Sequence, residues 1–421
     1  MKRHKILVRG PALSASGYGE QTRFALQCLK SREDLFDIFL VPINWGKTGW
    51  ITHLNEERAW LDHLVMKTTF HVQNKGEFDI SLQVTIPNEW EKLAPLNVGY
   101  TAGVETTLVA PVWVEKSALM NRIITTSKHA KDTFLNTSYE ATNKETGQTI
   151  KDYRVQTPTQ EVNYCVRYND PAPLDIELST DFNFLTVAQW GPRKNLGNTI
   201  RWFVEEFKDE ENVGLIVKTS LMKNCIIDRG IIKERLHSFL EEYPDRKCKV
   251  YLLHGNLSDG EMASLYLHPQ VKGLLALTHG EGFGLPIFEA VCNGLPVIAC
   301  DWSGQVDFLH GRVKSKNGKF KKRALFTKVD YELVEIPEEA VWDGVLQKGS
   351  RWCSADEKDS KRKLRDFYTN PTVPLGKANK LKKYVLRKFS PEKKHAEFVE
   401  QVLLAGLPAQ TTVDESVVVF D

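Results

Sequence analysis

The sequence predicts an α/β protein made of two doubly wound, parallel-sheet domains that face each other across a cleft. Three observations predict it. Short apolar runs recur between helical segments, the signature of parallel strands covered on both faces. The rhythm stops at a polar stretch, Arg167-Tyr-Asn-Asp-Pro-Ala-Pro173, whose two prolines stiffen a connection, and then starts again. The length, 421 residues, suits two domains.

Taken in order, residues 5–9 form a strand, followed by a small-residue loop ending in Gly17-Tyr-Gly19 and a helix bearing Phe24, Ala25, Leu26 and Leu29. Residues 36–43 are the next strand and 57–66 are helical; 78–84, 97–101 and 122–125 are further buried strands. Ser127 precedes the helix 128–134, where a serine accepts from free helix amides. Residues 137–160 are polar and read as an inserted hairpin, and 162–166 as a strand. The second series has strands at 183–188, 213–218, 249–253, 273–278 and 296–299. Helices at 200–207, 231–240, 260–266 (capped by Ser258) and from 286 onward separate them. Residues 311–323 hold seven cations and no acid, and read as a basic insertion. Helices near 356–368, 376–388 and 391–405 follow. This divides the chain into a domain of 1–168, a second of 169–385, and a terminal part of 386–421 whose helix returns toward the first domain.

Composition excludes several classes. Hydrophobic residues make up 42% of the chain, enough for two packed cores. The 56 basic and 54 acidic residues nearly cancel, so there is no global pull toward nucleic acid or membrane. Seven cysteines at irregular spacing form neither a disulfide framework nor a CxxC pair. With no leader-like start and no apolar run of about 20 residues, the expectation is a cytoplasmic protein. Eleven histidines without an HExxH or a ligand cluster lead to no expected metal.

The most informative segment is His279-Gly-Glu-Gly-Phe-Gly-Leu-Pro-Ile-Phe-Glu-Ala290, directly after a buried strand. Its glycines let the backbone approach a ligand, and Pro286 suits the first helical turn. Glu281 stands just before that helix and Glu289 one turn inside it, where free amides attract phosphate or sugar oxygens. Glu281-x7-Glu289 resembles the signature of retaining glycosyltransferases of family 4, which have the GT-B fold. The run through Pro296-Val-Ile-Ala299, Ser303-Gly304 and His254-Gly-Asn-Leu257 is similar to that family as well.

The resemblance implies a sugar moved from a nucleotide-sugar, UDP- or GDP-linked, to an acceptor hydroxyl without metal or other cofactor. By it, Glu289 binds ribose, Glu281 lies by the donor sugar, and Gly282, Phe283, Gly284 and Leu285 offer backbone to sugar and phosphate. His254, Gly255, Asn256 and Leu257 receive the base, and Gly17, Tyr18 and Gly19 lie over the donor from the other domain. The family's Lys matches Lys194, whereas its Arg position holds Gln189, so Arg193 stands in beside it; the bland alternative is a pair of solvated loop charges. Lys218 is a further cation for the diphosphate. No His occupies the family's place near Thr101-Ala-Gly-Val-Glu105, which leaves Glu105 to orient sugar or acceptor, or simply to cap a helix. Trp45 and Trp50 follow the second strand, where they stack on an acceptor or cap the core. A glycan or small carbohydrate is the expected acceptor. The basic run and the two tryptophans keep a hydroxylated base in DNA as an alternative, and a non-catalytic nucleotide- or sugar-binding module is the third reading.

Overall fold

Ile6 and Val8 of β1 (His4–Gly10) are fully buried, and so is most of Ile80–Val84, as expected of strands shielded on both faces. The computed structural model describes residues 3–142, 149–314 and 317–406, with the backbone alone at Lys314. The middle of the polar insertion, Lys316 of the basic run and the tail from 407 onward lie outside the described residues.

The first domain runs β1, α1 (Gly17–Lys30), β2 (Phe36–Pro42), α2 (Glu56–Gln73), β3 (Ile80–Val84), β4 (Leu96–Thr101), α3 (Pro111–Ser117), β5 (Arg122–Thr125) and α4 (Lys128–Asn136). An antiparallel hairpin, β6 (Ser138–Thr142) with β7 (Thr149–Arg154), follows, and then β8 (Thr159–Glu161). The sheet order is β2-β1-β3-β4-β5-β8, parallel throughout. Residues 162–166, read above as a strand, are not one: β8 takes the edge position just before them. The stretch crosses out of the domain instead, with Val162 N on Thr125 O (2.8 Å) and Val166 N on Phe389 O (2.8 Å). Its valines are buried all the same, because the crossing runs through the core.

The second domain runs β9 (Phe182–Gln189), α5 (Leu196–Phe207), β10 (Val213–Ser220), α6 (Ile226–Glu241), β11 (Lys249–His254), α7 (Asp259–Leu267), β12 (Val271–Ala276), α8 (Leu285–Asn293) and β13 (Val297–Cys300). A short α9 (Val306–Leu309), the hairpin β14 (His310–Lys314)–β15 (Phe320–Ala324), β16 (Thr327–Val329) and the pair β17 (Tyr331–Glu335)–β18 (Arg351–Ala355) follow. The chain ends in α10 (Glu357–Thr369), α11 (Thr372–Lys388) and α12 (Pro391–Leu403). Its parallel sheet is ordered β11-β10-β9-β12-β13-β16, reversing direction at β9/β12. Such a switch point opens a crevice beyond the carboxyl ends of the two strands.

The two domains share a seam of rings. Phe24 meets Tyr164 at 5.2 Å, Tyr164 meets Phe283 at 5.0 Å, and Phe283 meets Phe288 and Phe308 at 5.1 and 5.0 Å. Helix α12 packs on the first domain, where Phe398 touches Phe24 and Tyr100 and Gln401 accepts from Arg122 Nε at 2.8 Å. Among the described residues, no helix is long and apolar enough to cross a membrane.

Candidate functional site

At the β9/β12 switch point the chain after β9 makes one tight turn, Pro192–Lys194, fastened by Asn195, whose Nδ2 donates to Leu277 O at 3.0 Å. Asn195 sits at φ 52°, a left-handed position that asparagine tolerates. The turn puts Lys194 Nζ 2.6 Å from Glu281 Oε1 and Arg193 Nη1 3.4 Å from Glu281 Oε2. Arg193 Nη1 also donates to Gly280 O at 2.7 Å. Glu281 is itself held by its backbone, N to Ser303 Oγ at 2.8 Å and O from Gly304 N at 2.9 Å. A carboxylate only 7% exposed is thus clamped between two cations.

The charges shift one another. Burial would raise the Glu281 carboxyl, but Lys194 and Arg193 outweigh it and hold it below the ordinary range. Burial and the neighbouring Arg193 lower Lys194. Burial works against Arg193 too, yet Glu105 and Glu281 raise it. Glu105 comes from the other domain: its Oε1 lies 3.2 Å from Arg193 Nη2. The four residues singled out for chemistry therefore form one ionic cluster spanning the cleft.

The glycines of the loop permit this approach. A Cβ on Gly280 would stand 2.6 Å from Glu105 O, and one on Gly282 would stand 2.8 Å from Ala102 O. Gly282 O also accepts from Thr126 Oγ1 at 3.3 Å. On the facing side Tyr18 holds the loop after β4, its Oη 2.8 Å from Thr101 Oγ1 and accepting from Ala102 N at 3.2 Å. His129, at the start of α4, meets Trp302 of the second domain edge-on at 5.0 Å, and burial lowers its pKa. It escaped the sequence reading although the Ser127-Lys128-His129 run after a strand could have marked it. Asp307 also went unnoticed: from the second domain its Oδ2 accepts from Lys128 N and Asn163 Nδ2, both at 2.8 Å.

Glu289 is one turn into α8, and Tyr266 Oη donates to its Oε2 at 3.0 Å. Burial, with Glu20 nearby, pushes its carboxyl up to about 7. Arg167 of the crossing segment offsets this in part, while pairing with Glu20 at the start of α1. Neither Glu20 nor Arg167 carries a motif that would have exposed it. Lys218 donates to Gly255 O, and burial lowers it to about 8. Gly255 has φ 101°, a conformation glycine alone adopts readily, and it leaves Asn256 exposed and Leu257 half-buried before α7.

Two residues turn away from the cluster. His254 Nε2 binds Asp228 Oδ1 at 2.8 Å, and Gln189 Nε2 donates to Leu221 O at 2.6 Å. Phe283 offers backbone only, its ring being part of the apolar seam. Leu285 opens α8 and Gly284, at φ 93°, precedes it. Gly19 is packed on Ser14 O while Gly17 faces open space. Trp45 lies against Tyr18 with ring centroids 4.2 Å apart and tilted by 31°, and Trp50 is 51% exposed, with a backbone bridge to Ser14. The basic run lies on the β14–β15 hairpin, which packs against α11 outside both six-stranded sheets. Among the described residues no group of His, Cys, Asp and Glu could hold a metal ion.

No family model matches the chain. It is 30% identical over 119 residues to the serotype-specific mannosyltransferase WbdA of Escherichia coli, covering 28% of this chain and 13% of that protein. It is 31% identical over 170 residues to a probable sucrose-phosphate synthase of Thermosipho melanesiensis, covering 39% and 37%. The chain thus spans well under half the length of the curated relatives it matches. Among solved structures, Anabaena Alr3699/HepE in complex with UDP and glucose superposes with TM-score 0.59 at 13% identity, covering 95% of this chain and 100% of that one. The sucrose-phosphate synthase of Thermosynechococcus elongatus gives TM-score 0.59 at 13% identity, with 94% and 98% covered. The chain has the GT-B fold.

Proposed function

We propose that this protein is a retaining glycosyltransferase of the family 4 type, working in the cytoplasm. It moves a sugar from a UDP- or GDP-linked donor to a hydroxyl of a glycan or small carbohydrate. One observation carries the reading: Arg193, Lys194, Glu281 and Glu105 form a single cluster at the second domain's switch point. The relatives named a mannosyltransferase and a probable sucrose-phosphate synthase support it.

In this reading Lys194 and Arg193 leave Glu281 in part to receive the departing diphosphate, neutralising charge as it develops. Glu281 then faces the sugar hydroxyls and Glu289 the ribose. The acceptor attacks the face from which diphosphate departs, and the leaving phosphate takes its proton, so no separate base is required. The two cations supply the charge a metal would otherwise bring, and no cofactor takes part. Donor recognition without turnover is the competing reading, supported by the orientation of Gln189 toward Leu221 O and by the lack of a His in the segment Thr101–Glu105.

The test is thermal stabilisation by UDP, GDP, ADP and their sugar conjugates, with and without EDTA, followed by product analysis with glycan acceptors. One base is expected to stand out at equal strength in EDTA, with the anomeric configuration kept in the product. A ligand at a hundred times its Kd stabilises by about 2.7 kcal/mol. Stabilisation without turnover would select the binding module; no stabilisation by any nucleotide would reject both.

Glu289 makes a pH prediction. Ribose hydroxyls donate to the ionised carboxylate, so nucleotide affinity is expected to rise as pH climbs from about 6 to 8 through the carboxyl's value near 7. Without nucleotide the sign reverses. The folded state holds this proton above the ordinary carboxylate range of about 4.3, so the group's contribution to stability falls as pH rises between the two values. Calorimetric titration at several pH values checks the affinity, and Glu289→Gln should flatten its profile.

A further inference from the structure

Strand β18 touches both domains, and the segment before it reaches across the cleft. Residues 336–350 join the paired strands β17 and β18, whose ends Glu335 and Arg351 stand opposite each other. They carry a small core of their own, Ile336 and Ala340 against Trp352. They then cross to the first domain, where Val345 is buried with Trp90, Val109 and Trp113. Gly344 O accepts from Asn88 Nδ2 at 3.0 Å, and Asn88 Oδ1 accepts from Trp113 Nε1 at 2.6 Å.

Along β18 the contacts alternate in a way that bears on the ionic cluster. Arg351 N donates to Thr107 Oγ1 and Arg351 O accepts from Thr107 N, both at 3.0 Å. Two residues on, Cys353 N donates to His279 O at 3.0 Å, and Cys353 O lies 2.6 Å from His279 Nδ1. Trp352 between them stacks flat on the His279 ring, 4.4 Å away at 11°. Residues 351 and 353 share one edge of the strand by its two-residue period. Thr107 is two residues after Glu105, and His279 is two residues before Glu281. One short strand thus fastens both loops whose carboxylates flank Arg193, one loop from each domain.

We infer that β18 and the arm of residues 336–350 form a positioning element that sets the distance between Glu105 and Glu281 and so keeps Arg193 between them. Its effect on sugar transfer rests on the function proposed above; its effect on the loops does not. The contacts it makes are backbone bonds and buried apolar side chains, so it acts through the two loops and touches no donor itself. A strand suits this role, because its fixed rise of about 3.3 Å per residue cannot stretch between Arg351 and Cys353.

Two variants of the full chain test it. In the first, residues 336–350 are replaced by Asn-Gly, which closes an antiparallel pair as a two-residue turn. In the second, Thr107→Val removes the hydroxyl acceptor, with Thr107→Ser as the conservative control that retains it. Hydrogen exchange is expected to speed up at the amides of 102–110 in the excised protein and in Thr107→Val, and to stay near wild type in Thr107→Ser. Transfer is expected to fall about five- to tenfold in kcat in Thr107→Val, the equivalent of one lost hydrogen bond, with UDP or GDP affinity unchanged. Unchanged exchange at 102–110 in Thr107→Val overturns the inference, whether or not the excised protein folds. A wild-type protein that binds no nucleotide, yet shows the exchange difference, instead rejects the proposed function and leaves the positioning element standing.

Discussion

Replacing Glu281 by Gln is expected to lower sugar transfer by about 10²–10³-fold, the usual cost of removing one charge-stabilising group from an active site, while nucleotide binding holds or tightens. The carboxylate is 7% exposed and compensates two cations, Lys194 at 2.6 Å and Arg193 at 3.4 Å. Gln keeps the shape and one acceptor oxygen but leaves Lys194 without a counter-charge and Arg193 with Glu105 alone. In the proposed function an anionic diphosphate then becomes a better partner for them, so the ground state gains while the sugar loses the group proposed to face it. The result is a drop in kcat without a rise in KM for the donor, measured by initial rates across donor concentrations. Glu281→Ala should cost fold stability as well, because it leaves the half-buried Lys194 without a carboxylate partner and Arg193 with Glu105 alone. A Gln variant with wild-type kcat would remove Glu281 from the chemistry.

The second large effect is expected from Gly280→Ala. The added Cβ would stand 2.6 Å from Glu105 O, a backbone atom of the facing domain that has no rotamer to escape into. Relief requires the two loops to part by a few tenths of an ångström or more, which lengthens the 3.2 Å contact between Arg193 and Glu105. Misplacement of about 1 Å in a reacting constellation costs on the order of 10²-fold, and a loss of ten- to a hundredfold in transfer is expected here. The melting temperature should change little, since the strained contact joins two loops and lies outside the apolar core that the domains share. Gly230→Ala at an exposed position of helix α6, where a Cβ meets nothing within 4 Å, is the matched control. Equal activity in the two variants would show that the cleft is not closed this tightly during turnover.

Much of this architecture was legible because its signals are local. Ser127 accepts from Ala130 N, and Ser258 with Glu261 closes a capping box, both within one helical turn of chain. The glycines of 280–284 announce close approach, and close approach is what Gly280 and Gly282 make. Apolar runs marked the strands well, but 162–166 misled, since a buried crossing segment and a buried strand have the same composition. Elements without a period escaped notice. Helix α3 is short, and residues 336–350 carry no alternation, though Val345 is 9% exposed in the other domain's core.

The sequence by itself determined the two doubly wound halves and the segment, loop then helix, that carries Glu281 and Glu289, because periodicity, caps and glycines act over a few residues. Only the tertiary structure decided which distant groups meet. Lys194 and Glu281 are 87 positions apart, and Thr107 and Arg351 are 244 apart. Such pairs form only when strand order and domain docking bring distant loops to one crevice. The second domain's own packing puts His254 on Asp228 and Gln189 on Leu221 O, two residues that the family resemblance had assigned to the donor. Side-chain direction at a loop is set by the nearest available hydrogen-bond partner, and that partner is a property of the folded neighbourhood rather than of the local chain.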